Sequence, residues 1–284
     1  MAEKGRKNNL IDREINAYLR QSPVAALDSG SKCPCGSQKI FGECCQGQGA
    51  VFRVAWETDQ GHPVLIDEKR FRDYARDLLQ AAYKQAQRGT LARGKVSDFL
   101  ADFYGKYDRL NDLFSPYTAC QIGCNSCCHY NVGVSYIEAE YIRQFVVQNI
   151  ELSVLKTIIS RIKDQQKHYI RETQRPRHQK QDEAMLADYF KKNLPCPFLA
   201  ENNKCLIYSV RPFTCRAHSA VSSPDSCRTG KSLELLDVMN LNQYLGTLLA
   251  ELSYNSFGIS RWEHIGIWFV DGFGGGSPGE ASKK

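Results

Sequence analysis

The chain of 284 residues has no long hydrophobic run: its longest clean apolar stretch is the six residues from Ile265 to Val270, far short of the roughly 20 needed to cross a bilayer. The first residues, MAEKGRKNNLIDREIN, are charged and lack the apolar stretch and small-residue cleavage site expected of a secretory signal. No segment repeats at a period of about 20–50 residues, which argues against a solenoid. The one glycine-rich run, Gly272 to Gly276, falls in the C-terminal tail and opens no helix, so it supplies no nucleotide or methyl-donor fingerprint. Charge of one sign is scarce as well: the net value of +6 is mild for this length and only weakly suggests an anionic partner. The most basic stretch, residues 161–180, carries nine Lys, Arg or His against two acids, with Tyr169 its only strong stacking ring. It reads as a solvated helix face running into a loop at Pro176, not as a nucleic-acid surface. The expectation from these absences is a cytoplasmic protein with no membrane insertion and no nucleic-acid partner.

Cysteine, by contrast, is abundant. There are 12, and they are clumped: none occurs from Gln46 to Ala119 or from His129 to Pro195. Thiols serving as small core hydrophobes would be scattered. In a reducing compartment, clustered cysteines are metal ligands more often than disulfides. An apolar content of 42% supports a real core around them.

The periodicity predicts a mainly α fold. Residues 9–20 fit a short amphipathic helix, with Leu10, Ile11, Ile15, Tyr18 and Leu19 near one side. Residues 21–32 read as a linker, and residues 47–66 as a connector in which Asp59-Gln60-Gly61 turns one short β-hairpin with Pro63 at its edge. From Asp67, a plausible N-cap, a helix runs to Gly89; a second is marked by Val96, Phe99, Leu100, Phe103, Tyr107 and Leu110 and stops before Pro116. Ser135-Tyr-Ile-Glu138 is a capping box opening a third helix. Further helices are expected at about 152–170, 181–192 and 232–253, inside a helical domain spanning 67–270, followed by a disordered tail at 271–284.

The first cysteine group is CPCGSQKIFGECCQ at residues 33–46. Four thiolates at this range suit a tetrahedral soft-ligand site, and Gly36 and Gly42 allow the tight turns that wrap a loop around one ion. So short a segment buries too little to fold without that ion. These residues resemble the SEC-C motif, the zinc-binding module at the C-terminus of the protein-translocation motor SecA and in many stand-alone bacterial proteins. The resemblance covers Cys33 to Cys45 alone. It implies zinc held by Cys33, Cys35, Cys44 and Cys45, and docking to another protein.

The second group comes in two strings. CQIGCNSCC supplies Cys120, Cys124, Cys127 and Cys128; CPFLAENNKCLIYSVRPFTCR and SPDSC supply Cys196, Cys205, Cys215 and Cys227. Helices lie between the strings, so the fold must bring them together, and a metal there staples distant elements across a large loop. Together with the helix opened by Ser135 and Glu138, these pieces resemble the YkgJ-type cysteine-cluster family of zinc- or iron-chelating domains over about 110 residues. The resemblance supplies the ligand set and leaves the metal open: zinc accepts four thiolates, and so does a four-iron cluster. Eight thiolates allow two mononuclear sites, one cluster with one zinc, or one cluster with spare cysteines. Arg211 and Arg216 flank Cys215, where their charge either stabilises an anionic metal–thiolate centre or serves a salt bridge. His129 and His218 adjoin ligands and are read as supporting groups, because thiolates are already in surplus.

Three functions fit these residues. One is an adaptor or protein-interaction factor built on zinc or iron–sulfur binding. A second is a protein-modifying enzyme of the flagellin lysine N-methylase type, which shares the cysteine-cluster domain. The third is electron transfer through an iron–sulfur centre, which needs a partner cofactor.

Overall fold

The computed structural model describes residues 2–58, 60–120, 123–176, 178–221, 224–229 and 234–273. The fold is mainly helical. Helix α1 (Ala2–Gln21) begins the chain, and its buried side chains Ile11, Ile15 and Leu19 recur every four residues, the spacing of one helix face. The expected hairpin is present: strands β1 (Phe52–Glu57) and β2 (Pro63–Asp67) pair antiparallel, with Arg53 opposite Ile66 and Val54 opposite Leu65. Gly61 takes the turn at φ +75°, where a Cβ would be strained; Asp59 of the expected turn lies outside the described residues.

Helix α2 (Glu68–Arg88) starts and stops where its sequence signals place it. The Asp67 carboxylate accepts from the Arg70 amide at 3.0 Å, and Gly89 closes the helix at φ +69°. Helix α3 (Val96–Asn111) packs against it, buries Leu100, Phe103 and Tyr107, and ends ahead of Pro116. After strand β3 (Gly133–Val134) comes helix α4 (Tyr136–Asn149), in which the Glu138 carboxylate reaches back to the Ser135 amide at 2.9 Å. Helices α5 (Leu152–Gln165), α6 (Gln179–Lys191), α7 (Phe213–Ala217), α8 (Pro224–Thr229) and α9 (Leu241–Phe257) follow, and strand β4 (Glu263–His264) returns to pair with β3.

Some boundaries differ from the sequence expectation. The last long helix begins at Leu241 rather than 232, because residues 234–236 lie extended against 219–221, with the Val221 amide donating to the Glu234 carbonyl at 3.0 Å and the Leu236 amide to Ser219 at 2.8 Å; residues 232 and 233 lie outside the described residues. Helix α5 stops at Gln165 and gives way to a 3₁₀ turn over Gln166–His168. The packed body reaches Phe273, which is buried and stacks on Phe269 at 4.6 Å; the rest of the expected tail, 274–284, lies outside the described residues.

One large apolar cluster runs from Ile11 to Phe273 through all the long helices. A separate small cluster, Cys33, Phe41 and Phe52, belongs to the N-terminal cysteine loop. The hairpin joins the two: Val64 and Ile66 face the large core, while Phe52 and Leu65 face the small one. This is the alternation of side chains across a strand.

The β3–β4 pair carries a buried histidine. His264 Nδ1 accepts from the Gly266 amide at 3.0 Å, so its ring proton sits on Nε2, 3.0 Å from the Tyr189 hydroxyl, and Tyr169 stacks on the ring at 3.9 Å. Gly266 is required here, since a Cβ would lie 2.4 Å from the Tyr169 ring. Burial holds the imidazole down to about 3. Between that value and the ordinary 6.5, the unfolded chain binds a proton that the folded chain does not, so stability is complete above 6.5 and falls as pH drops. The expected loss is about 2 kcal/mol at pH 5 from this group, at about 1.4 kcal/mol per unit. NMR of the folded protein should find His264 neutral at pH 5; titration near 6.5 would sink the assignment.

Candidate metal centres

The N-terminal loop is shaped by its own backbone. The Cys33 amide donates to the Lys39 carbonyl at 2.8 Å, Lys32 and Ile40 form a bridge, and Gly36 turns the chain at φ +80°. The Cys44 amide bonds the Phe41 carbonyl at 3.1 Å. These turns bring the thiols of Cys33, Cys35, Cys44 and Cys45 within 4.8 Å of one another. Cys35 and Cys44 are 3.7 Å apart, and Cys44 and Cys45 3.9 Å. A zinc–thiolate bond near 2.3 Å sets a tetrahedral edge of about 3.8 Å, so this spacing suits one zinc ion. The four thiols also disturb one another. Burial raises Cys35, but hydrogen bonds with Ser37, Cys33 and Cys44 bring it down to about 6. Cys45 is pushed up, first by burial and then by the three thiols around it. The Cys35 thiolate forms readily, while Cys33 and Cys45, both raised first by burial, resist until a cation neutralises the crowding.

The second centre is assembled from distant segments. Cys127 and Cys128 lie in a 3₁₀ turn, Ser126–His129, and the Cys196 amide donates to the Cys128 carbonyl at 2.6 Å, which ties the two cysteine strings together. Leu199 and Cys205 bridge a tight turn, and Cys215 sits in α7. The Ala220 amide points at the Cys120 sulfur at 3.3 Å. As a result Cys120, Cys124, Cys127 and Cys128 from the first string and Cys196, Cys205 and Cys215 from the second line one cavity of about 300 Å³. Cys227 does not line it. It is buried in α8, which packs on the 126–129 turn, and its carbonyl accepts from the Tyr130 hydroxyl at 2.7 Å. Among the described residues, only the N-terminal four thiols form a group of three or more potential ligands within 4.8 Å of one another. The cavity thiols are therefore more widely spaced than a single tetrahedral ion requires.

The cavity thiols also shift in opposite directions. Cys127 is lowered to about 7, chiefly by its hydrogen bond with Cys128, while that same bond and then burial raise Cys128. Burial raises Cys196 to about 12 and lifts Cys215 well above its ordinary value. Holding several of these as thiolates at neutral pH takes a compensating cation.

The flanking groups divide by what they touch. Arg216 is occupied by the protein: its Nε and Nη2 donate to the Arg211 and Ser209 carbonyls, each at 2.9 Å, its Nη1 pairs with Asp108, and its guanidinium lies 4.4 Å from the Tyr104 ring centre. It braces the loop carrying Cys205 and Cys215. Arg211 stacks over Tyr208 and lies 3.9 Å from Asp108, yet its buried Nε has no partner. His218 lines the same cavity and its buried Nε2 is also unpartnered. His129 lies off the cavity, its Nδ1 3.3 Å from the Asn193 carbonyl. The sequence reading gave no role to Asp108, a polar position on α3 with no local motif, nor to Asn131, whose buried Oδ1 lacks a partner.

Thiols that need a cation, with the Arg211 and His218 side chains beside them in the cavity wall, fit a bound metal–thiolate group. Zinc would be held by the N-terminal four; in the cavity, the seven lining cysteines are the available donors. No helix among the described residues is long and apolar enough to cross a membrane. No curated protein and no solved structure gives a significant match to the chain. Residues 119–240, the segment that carries all seven cavity cysteines, match the CxxCxxCC family, described as "Putative zinc- or iron-chelating domain".

Proposed function

We propose that the chain is a cytoplasmic two-centre metal protein acting as an adaptor, in which a SEC-C-like zinc module engages another protein and the thiolate-lined cavity holds an iron–sulfur group. The observation that carries the second half is the contrast in spacing between the two thiol sets. The N-terminal four sit at single-ion range, whereas the other seven surround a space of about 300 Å³. A cluster spreads its metals over several corners and so takes its cysteines farther apart than one ion does. Docking through the small module is supported by its surface, where Val24, Ile40 and Val51 are large apolar side chains left exposed.

Metal and sulfide analysis of anaerobically purified protein tests the assignment. The expected sample is brown and contains zinc, iron and acid-labile sulfide, and Cys33→Ser removes zinc but not iron. A colourless protein carrying zinc alone overturns the iron–sulfur assignment while leaving a metal-chelating protein.

A further inference from the structure

The seven cysteines of the large cavity differ in exposure. Cys120 and Cys124 are open to solvent, whereas Cys127, Cys128, Cys196, Cys205 and Cys215 are half-buried. The other exposed residues of the lining are Asp112, Ser115 and Tyr208, so these three and the two outer cysteines form the mouth. Cys120 is placed there by the backbone: the Ala220 amide donates to its sulfur at 3.3 Å, and the Ala119 amide donates to the Ala220 carbonyl at 2.8 Å. Its own thiol lies 3.8 Å from the His218 carbonyl. Between the two cysteines Gly123 turns the chain at φ +93°, and the Cys124 sulfur is 3.9 Å from the Ser126 hydroxyl. A four-iron cluster takes four cysteines. Five lie inside the mouth, so the outer pair is surplus to it.

We propose that Cys120 and Cys124, with the Asp112 carboxylate, form a transfer site for Fe²⁺ or Zn²⁺ at the cavity mouth, through which the ion passes to and from the inner five thiols. An ion arriving from water must shed its hydration shell before it reaches half-buried sulfur, and a bare cation is costly to desolvate. Two thiols and a carboxylate at the entrance, donors that both ions accept, replace that water in steps. Each thiol gives its proton to water as it takes the ion and regains one when the ion moves inward. The proposal rests on the reading of the cavity as a metal centre. It goes beyond that reading by dividing the donors: the inner five hold the resident group, and the outer pair carries ions across the entrance.

The metal-replete full chain, purified anaerobically, is compared with a double variant carrying Cys120→Ser and Cys124→Ser, both at exposed positions. Iron per chain and the visible spectrum should be the same in the two. With excess ferrozine, a ferrous chelator, the variant should release iron about fivefold more slowly, because exit uses the same thiols as entry. Iodoacetamide should label Cys120 and Cys124 of the parent about tenfold faster than Cys196 and Cys215, as read by peptide mass spectrometry. A variant isolated with less than half of the parental iron overturns the proposal, since the outer pair is then part of the resident ligand set. Release at the parental rate overturns it too, since the pair is then a bystander, and so does faster labelling of Cys196 or Cys215. If the cavity holds zinc, the same comparison is made with a zinc-responsive dye in the Cys33→Ser background, which lacks the N-terminal ion. Failure of the iron assignment and failure of the transfer site are thus read separately.

Discussion

Replacing Cys33 by serine is expected to release the N-terminal ion and melt the loop from about residue 28 to residue 50, while the helical body keeps its circular dichroism. Cys33 is the most buried of the four thiols, and with Phe41 and Phe52 it makes up the buried centre of the small cluster. Little else holds the loop: beyond its turns it has one isolated bridge, Lys32 to Ile40. A structural zinc contributes about 10 kcal/mol or more to modules of this size, several times what so few buried side chains supply. The damage should stop at the hairpin, because Val64 and Ile66 are fixed by the large cluster on the other face of β2. Trypsin cleavage confined to Lys32 and Lys39, with unchanged helix content, is the expected readout. Global loss of helix would show that the two units fold together.

Replacing Glu138 by alanine is expected to cost about 4 kcal/mol or more and to lower metal occupancy in the large centre. Its carboxylate is buried and accepts from the Ser135 amide at 2.9 Å, the Ser135 hydroxyl at 2.6 Å, the Phe213 amide at 2.6 Å and the Tyr104 hydroxyl. Alanine strands all four donors, at about 1 kcal/mol or more apiece. The consequence for the metal follows from position. Phe213 opens α7, which carries Cys215 and Arg216, and Arg216 stacks on Tyr104 while it bonds the Ser209 and Arg211 carbonyls. Glu138 thus anchors the segment that presents Cys215 to the cavity. Glu138→Gln keeps the shape but not the charge and should lose about half as much stability. Urea unfolding and metal analysis check both variants. An alanine variant within about 1 kcal/mol of the parent, with full metal content, would rule out this anchoring role.

The elements that were legible in the sequence are those whose signals are local. Asp67 and Gly89 mark α2 because an N-cap carboxylate and a left-handed C-cap act within a few residues of the helix they bound. Glu138 declares the start of α4 for the same reason, and the spacing of Cys33, Cys35, Cys44 and Cys45 already limits how far apart their sulfurs can lie. The boundary at Leu241 was not legible. Glu234 and Leu236 carry helix-compatible side chains, but backbone bonds to Val221 and Ser219, which depend on where another segment lies, hold them extended. The β3–β4 pair is two residues long on each side and has no periodicity to read.

The division is clearest at the large centre. The order and type of its cysteines, and the presence of arginines and histidines beside them, are properties of the sequence alone. Which of those neighbours can face a bound group was decided in three dimensions. Arg211 and Arg216 are equivalent in sequence, one charge on either side of Cys215, yet Asp108 and the Ser209 and Arg211 carbonyls engage Arg216 fully while leaving the Arg211 Nε buried and free. His129 and His218 look alike in the same way, and only His218 reaches the cavity. Cys227, counted with the other seven by sequence, sits in α8 outside the cavity lining, where burial and then the charges of Cys120, Cys124 and Cys127 raise its thiol. A ligand's chemical type is carried by the residue itself; its direction is set by the helix or turn that holds it and by partners tens of residues away, which no local pattern records.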